Sequence, residues 1–115
     1  MPENSFAYYS SAATNLSTLA KNRSSWDEVL FRPRVMVDVA EVDTRTKFLG
    51  QDTTLPVFVA AAAFATLSHP SGEAGIAEAA GKQGIIQMIS TNASRKLEDI
   101  VAAAFSPEQV FMMQL

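Results

Sequence analysis

Three short stretches of this sequence carry groups that could bind a flat, polar ligand: the alanine run at 60–63, the polar triplet at 90–92, and Gln114. Alanine leaves the backbone almost bare, so a planar molecule can approach it closely. Ser90 and Gln114 can each donate and accept hydrogen bonds. Together these features favour the polar edge of a planar heterocycle over a phosphate. Plain close packing of the alanines and a turn or cap role for Ser90 stay open as simpler interpretations.

The composition excludes several other kinds of site. The chain has no cysteine and one histidine, His69, which rules out disulfides, thiolate metal sites and thiol nucleophiles. His69 precedes Pro70 and is interpreted as a helix-start residue rather than a catalyst, and no acidic cluster has metal-ligand spacing. The nine basic and twelve acidic residues are scattered, with a net charge of −3. Neither nucleic acid nor an anionic membrane is therefore expected as a partner.

Length and hydropathy bear on the class of protein and on its location. At 115 residues there is room for one small domain at most. No uninterrupted apolar run approaches the roughly 20 residues of a membrane helix. Residues 1–5 lack the basic start and apolar stretch of a signal peptide. A soluble intracellular protein is expected, with no preference between cytoplasm and mitochondrion.

The three chemically interesting stretches lie at the ends of predicted strands. Apolar segments at 55–61, 85–90 and 110–115 predict these strands, the first of them buried on both faces. Between them, Pro70 and Gly84 mark the start and end of one helix. Ser94 is the predicted N-cap of a second helix, which extends to Phe105. Such an order predicts parallel crossovers, which place the strand ends at one edge, where functional groups collect.

Residues before this region predict simpler elements. Apolar spacing of three and four predicts a helix over 15–30, and residues 35–39 are predicted as an apolar extended segment. Turn residues at 50–52 predict a hairpin between strands at 44–48 and 53–59. The pattern stops at the third strand of the later region, with no helix to cover it. We therefore expect the opening of a larger α/β barrel, and self-association through the open edge of that strand.

Five motifs occur in a fixed order over about residues 6–115. They are Tyr8-Tyr9-Ser10-Ser11, Phe31-Arg32-Pro33-Arg34, His69-Pro70-x-Gly72-Glu73, Gln87-Met88-Ile89-Ser90-Thr91 and Gln114-Leu115. In this succession the sequence resembles the FMN-dependent α-hydroxy acid dehydrogenases and oxidases. No single motif is decisive, whereas the collinear order is specific. The first and fourth motifs lean towards the fungal cytochrome-linked L-lactate dehydrogenase branch.

The resemblance implies a fold, a cofactor and a set of contacts. The fold is α/β, a (β/α)8 TIM barrel. Residues 1–115 would be its incomplete N-terminal fragment: the first three βα units, preceded by an N-terminal helix and a β-hairpin. FMN is the implied cofactor, a small (S)-2-hydroxy acid the substrate, and a homo-oligomer the state of the intact enzyme. The matching positions are Tyr8 for the substrate carboxylate, Ala61, Ala62 and Ala63 against the flavin ring, and Ser90 and Gln114 at the ring's polar edge.

Two positions depart from the family pattern, since Ala12 replaces the usual glycine and Ala62 the usual threonine. The resemblance places the histidine base, its aspartate, the substrate-binding arginine and the flavin-tuning lysine downstream. No catalytic residue is therefore assigned here, and the isolated chain is expected to be inactive. Two functions stay open: an FMN-dependent 2-hydroxy acid oxidoreductase represented by its first part, and a non-catalytic truncated fragment or interaction module.

Overall fold

The computed structural model describes residues 1–115. The chain forms two compact units, Pro2–Val42 and Asp43–Leu115, and Met1 groups with the second. No helix of the chain has the length and apolar character needed to cross a membrane.

The unit Pro2–Val42 contains two short helices and no strand. Helix α1 spans Glu3–Ser10, helix α2 spans Ser17–Ser24, and a 3₁₀ turn continues over Ser25–Glu28. The helix predicted at 15–30 is confirmed in place, but it starts later and tightens to 3₁₀ geometry before it ends. Leu16 precedes α2 with a left-handed φ of 61°, so the helix cannot begin before Ser17.

The extended segment predicted at 35–39 is wrong, because these residues form bends and irregular backbone. Met36 adopts a φ of 59°, which lies outside the β region. Val35, Met36 and Val39 are exposed, and no other strand pairs with them. A β-branched, apolar composition does not make a strand where the backbone groups have no partner.

The predicted hairpin is confirmed, with a shorter turn. Strand β1 spans Thr46–Phe48 and strand β2 spans Gln51–Thr53, and they pair antiparallel. Leu49 and Gly50 alone connect them, with φ values of 49° and 82°. Two successive positive φ values are typical of the tight hairpin turns that match strand twist. The second strand therefore begins at Gln51, inside the stretch predicted as the turn.

Two short parallel strands lie at the centre of the unit Asp43–Leu115. Strand β3 spans Gln87–Ile89 and strand β4 spans Phe111–Met113, with Met88 opposite Met112. This pairing confirms the predicted parallel crossover between the second and third strands.

The first predicted strand, at 55–61, is reduced to one parallel bridge between Val59 and Gln87. Leu55, Val57 and Phe58 are exposed, so burial on both faces was wrong. Val59 adds to the edge of β3 away from β4, because its N–H donates to Ile86 and its C=O accepts from Met88. With pairing on one side only, the segment lacks the second neighbour that a central parallel strand needs.

Two helices cover one face of this sheet. Helix α3 spans Gly72–Gln83, and Gly84 ends it with a φ of 63°, which confirms the predicted left-handed cap. Helix α4 spans Leu97–Ala102, so the prediction that it reaches Phe105 was wrong. The side chain of Gln109 accepts a hydrogen bond from the Phe105 N–H at 2.9 Å, which gives that backbone group a partner outside a helix.

The core lies between these helices and the sheet. Ala77 of α3, Ile89 of β3 and Ile100 of α4 are buried against one another, and Phe111 packs beside them. Since side chains alternate along a strand, the other face of β3 carries Met88 and, just beyond the strand, Ser90. Because β3 and β4 run parallel, the residues that follow their carboxyl ends lie at the same edge of the sheet.

Candidate functional site

The structure brings Ser90 and Gln114 together at the carboxyl ends of β3 and β4. The Ser90 hydroxyl donates to Gln114 Oε1 at 3.2 Å. The Gln114 N–H donates to the Ile89 C=O at 2.9 Å, which continues the parallel pairing beyond the strands. Ser90 is buried and Gln114 is exposed. The Gln114 side of the pair is therefore open to solvent at the sheet edge, whereas the Ser90 side is enclosed.

The hydrogen bonds around this pair fix which atom faces outwards. Ser90 Oγ also accepts from the Asn92 N–H at 3.2 Å, and Thr91 Oγ1 donates to the Gln114 C=O at 3.0 Å. Ser90 thus uses its hydroxyl once as donor and once as acceptor. Because Gln114 Oε1 accepts from Ser90, the Nε2 group of this exposed side chain remains to donate to a ligand.

The alanine segment lies beside the loop that follows β3. Ala61 and Ala63 are half-buried, and Ala62 is exposed. Directly after them, the Phe64 N–H donates to the Asn92 C=O at 3.2 Å. The segment and the Ser90–Gln114 pair are therefore neighbours along one edge, as the sequence predicted, although its flavin contacts stay a prediction.

Glu73 joins the same two loops, and the sequence reasoning gave it no role. Its side chain lies in the first turn of α3 and is 1% exposed. Oε1 accepts from the N–H groups of Ala65 at 3.0 Å and Ser94 at 2.8 Å. Oε2 accepts from the Ser94 hydroxyl at 2.8 Å and the Arg95 N–H at 3.2 Å. An acidic residue in the first turn of a helix that follows a parallel strand was the signal that could have found it.

This arrangement determines the ionisation of Glu73. Burial acts to raise its pKa, but the hydrogen bonds donated by Ser94 and Ala65 outweigh burial and hold the pKa below the ordinary value of 4.5. Glu73 is therefore a carboxylate at neutral pH. The same bonds explain why the prediction of Ser94 as the N-cap of α4 was wrong: Lys96 occupies that position, and Ser94 bonds to Glu73 instead.

The remaining candidate residues lie elsewhere. Tyr8 is in α1, within Pro2–Val42, and 47% exposed, with its ring edge-on to Tyr9 at 5.0 Å between centroids. This exposure counts against a packed-core role. His69 Nδ1 lies 2.7 Å from Ser71 Oγ, just before α3, as the helix-start interpretation predicts. No group of three acidic, histidine or cysteine side chains could hold a metal ion.

Comparison with known proteins gives the wider context. The model of the FMN-dependent dehydrogenase family matches residues 1–115. The L-lactate dehydrogenase (cytochrome) of Wickerhamomyces anomalus is 39% identical over 109 residues, which are 95% of this chain and 19% of that protein. The glycolate oxidase of Spinacia oleracea is 35% identical over 102 residues, which are 89% of this chain and 28% of that protein.

Solved structures agree with the sequence matches. A flavocytochrome b2 variant superimposes with a TM-score of 0.93 at 36% identity, over 100% of this chain and 31% of that one. A mandelate oxidase variant with (S)-mandelic acid gives 0.88 at 30% identity, over 100% of this chain and 33% of that one. The chain thus spans about a third or less of the length of these relatives. On the family match and these identities, the chain belongs to the FMN-dependent dehydrogenase family, a family of enzymes whose cofactor is FMN.

Proposed function

We propose that residues 1–115 form the first part of an FMN-dependent oxidoreductase that acts on (S)-2-hydroxy acids of the lactate or glycolate type. In this proposal they supply the first three βα units of a (β/α)8 TIM barrel, preceded by the N-terminal helix and the hairpin β1–β2. Family membership supports the proposal, and so do the substrates named for the relatives. The observation that carries it is the Ser90–Gln114 pair beside the alanine segment, at the edge where parallel α/β folds bind ligands.

The residues at this edge fit the ring of FMN. Gln114 Nε2 is a donor suited to a carbonyl or nitrogen acceptor on the ring's polar edge. Ala61, Ala62 and Ala63 have no side chain beyond Cβ, so the ring can lie against their backbone. FMN, when bound, accepts the electrons that leave the substrate. These residues would bind and orient the ring, and they carry no charge that could hold the phosphate.

Tyr8 is the proposed contact for the substrate carboxylate. Tyr8 is 47% exposed, and a phenol hydroxyl can donate a hydrogen bond to a carboxylate; such charge-assisted bonds are worth roughly 1.5–3 kcal/mol. No residue of this chain is proposed as the catalytic base. His69 already contacts Ser71 at a helix start, and the phosphate sites of such barrels are built by loops after later strands. Residues 1–115 alone should therefore be inactive.

The proposed function is tested by turnover in the full-length protein that carries residues 1–115. Purified protein with FMN should oxidise L-lactate or glycolate with a dye as electron acceptor. Absence of turnover with every small 2-hydroxy acid would contradict the proposal. Measurable steady turnover by residues 1–115 alone would contradict the claim that the base lies outside them.

The role of Tyr8 is tested against its neighbour. Tyr8→Phe removes the hydroxyl and should lower kcat/KM by about 10- to 150-fold. Tyr9→Phe is the matched control, because it removes the same group from the adjacent ring, and it should change kcat/KM less than about threefold. Equal effects of the two substitutions would mean that the Tyr8 hydroxyl does not bind the substrate.

A further inference from the structure

One buried carboxylate, that of Glu73, connects the two loops that carry the proposed ring contacts. On one side it bonds to Ala65, two residues after Ala63. On the other side it bonds to Ser94 and Arg95, within the loop that begins at Ser90. All four donors belong to residues of these two loops. Glu73 therefore holds the loops at a fixed separation from each other.

Hydrogen bonds that do not involve Glu73 also hold the two loops together. Ser94 Oγ, which donates to Glu73, also accepts from the Thr66 N–H at 3.0 Å. The Arg95 guanidinium donates to the Pro70 C=O at 2.6 Å, next to the start of α3. The backbone of Gly72 lies close to the side chain of Thr66. A Cβ added to Gly72 would lie 2.7 Å from Thr66 Cγ2. The loops and the helix start thus form one interlocked unit.

A direct role for Glu73 in proton transfer does not fit this geometry. The carboxylate is enclosed, with 1% of the residue exposed, and its two oxygens already accept four hydrogen bonds. A general acid or base must reach the substrate directly or through one water. Glu73 has neither the access nor a free lone pair aimed at a ligand, so its effect on a bound ring would be indirect.

We propose that Glu73 is a positioning residue for the flavin site: its carboxylate sets the distance between the alanine segment 61–63 and the Ser90–Gln114 pair. The inference rests on the proposed function, because it assigns the ring to these two loops. If the spacing between the loops relaxes, the alanine wall and the Gln114 donor no longer meet the ring together. Binding of the ring then weakens although none of its own contacts has been removed.

The test compares Glu73→Gln with Glu78→Gln in the full-length protein that carries residues 1–115. Both lie in α3 and both lose one negative charge. Glu78, however, is a surface residue paired with Lys82 at 2.6 Å. Glu73→Gln keeps the size of the side chain but turns one acceptor into a donor that faces Ser94 or Arg95. Ser94→Ala is a milder second variant, which removes one donor to Glu73 and the acceptor for Thr66.

Each variant is measured in two ways. The first is FMN binding, recorded as the affinity and as the visible circular dichroism of the bound flavin. The second is amide hydrogen exchange in the flavin-free protein. Glu73→Gln should weaken FMN binding about tenfold or more and alter the flavin spectrum. It should speed exchange in 61–66 and 92–95 about tenfold, with little change in the core peptides 77–80 and 86–89. Ser94→Ala should act in the same direction by about threefold, and Glu78→Gln should leave both measurements within twofold.

The outcomes separate the inference from the proposed function. FMN affinity and spectrum within twofold of wild type in both Glu73→Gln and Ser94→Ala would overturn the positioning role alone. Faster exchange spread evenly over the core peptides would do the same, since it would show general destabilisation. No binding of FMN by the wild-type protein would overturn the proposed function, and with it this inference.

Discussion

Side chains in the two units of the chain have very different surroundings. In Asp43–Leu115, Ala77 and Ile100 are completely buried, and the Glu73 carboxylate is enclosed with four donors. In Pro2–Val42, Ser5 alone is buried, while Phe31 is 97% exposed. Apolar composition is similar in both regions, yet only the later one converts it into a core. The difference lies in the parallel crossover, which brings distant segments together around β3.

The largest expected effect tests this contrast directly. Ile100→Ala leaves a cavity in the core and should lower the free energy of unfolding of the chain by about 2–5 kcal/mol. Phe31→Ala is the matched control, because it removes a larger apolar side chain that is already in water, and it should change that free energy by less than about 0.5 kcal/mol. Urea unfolding of the three proteins provides the measurement. Comparable losses for both variants would mean that the two units are not differently packed.

Acid should act on the later unit through Glu73. Its pKa is lowered by folding, so its stabilising contribution is present above the ordinary value of 4.5 and is lost as the pH falls through the lower folded-state value. As the pH falls below about 4.5, the wild type should therefore lose more unfolding free energy than Glu73→Gln. Parallel pH profiles for the two proteins would contradict a folded state in which Glu73 is ionised and hydrogen-bonded.

Two glycines of the unit Asp43–Leu115 differ in how closely other residues pack against them. Gly84 caps α3 with a φ of 63°, and a Cβ there would lie 2.6 Å from Thr54 Cγ2. Gly50 has a similar φ of 82° in the hairpin turn, with nothing within 4 Å. Gly84→Ala should cost about 2 kcal/mol of unfolding free energy, and Gly50→Ala about 1 kcal/mol, since both lose left-handed freedom and only the first also clashes. Thermal unfolding that ranks Gly50→Ala as the worse variant would be inconsistent with this packing.

Sequence-based prediction succeeded for some elements and failed for others in both units of the chain. The Gly84 cap and the hairpin were predictable, because glycine at a left-handed position and clustered turn residues are local signals. The pairing of β3 with β4 followed from two apolar runs separated by a helix. The extended segment at 35–39 failed since no neighbouring strand exists there to pair with its backbone.

The sequence predicted only those site residues that lie at the carboxyl ends of the parallel strands. Ser90, Gln114 and the alanine segment were placed at one edge by the rule for parallel strands, and the structure brings them together. Glu73 was missed because its partners, three backbone N–H groups and the Ser94 hydroxyl, come from two loops whose convergence the sequence spacing does not show. Ser94 was misassigned for the same reason, since its hydroxyl bonds to a carboxylate 21 residues earlier rather than to its own helix.

The central claim is that this sheet edge binds the ring of FMN, and an FMN titration of the full-length protein that carries residues 1–115 tests it most directly. Gln114→Leu removes the Nε2 donor while keeping a similar volume, and Gln83→Leu does the same at an exposed position at the end of α3. Flavin fluorescence should report saturable binding by the wild type and by Gln83→Leu with equal affinity. For Gln114→Leu we expect an affinity about tenfold weaker, as the loss of one hydrogen bond implies. Equal affinity of all three proteins would contradict the assignment of this edge to the flavin.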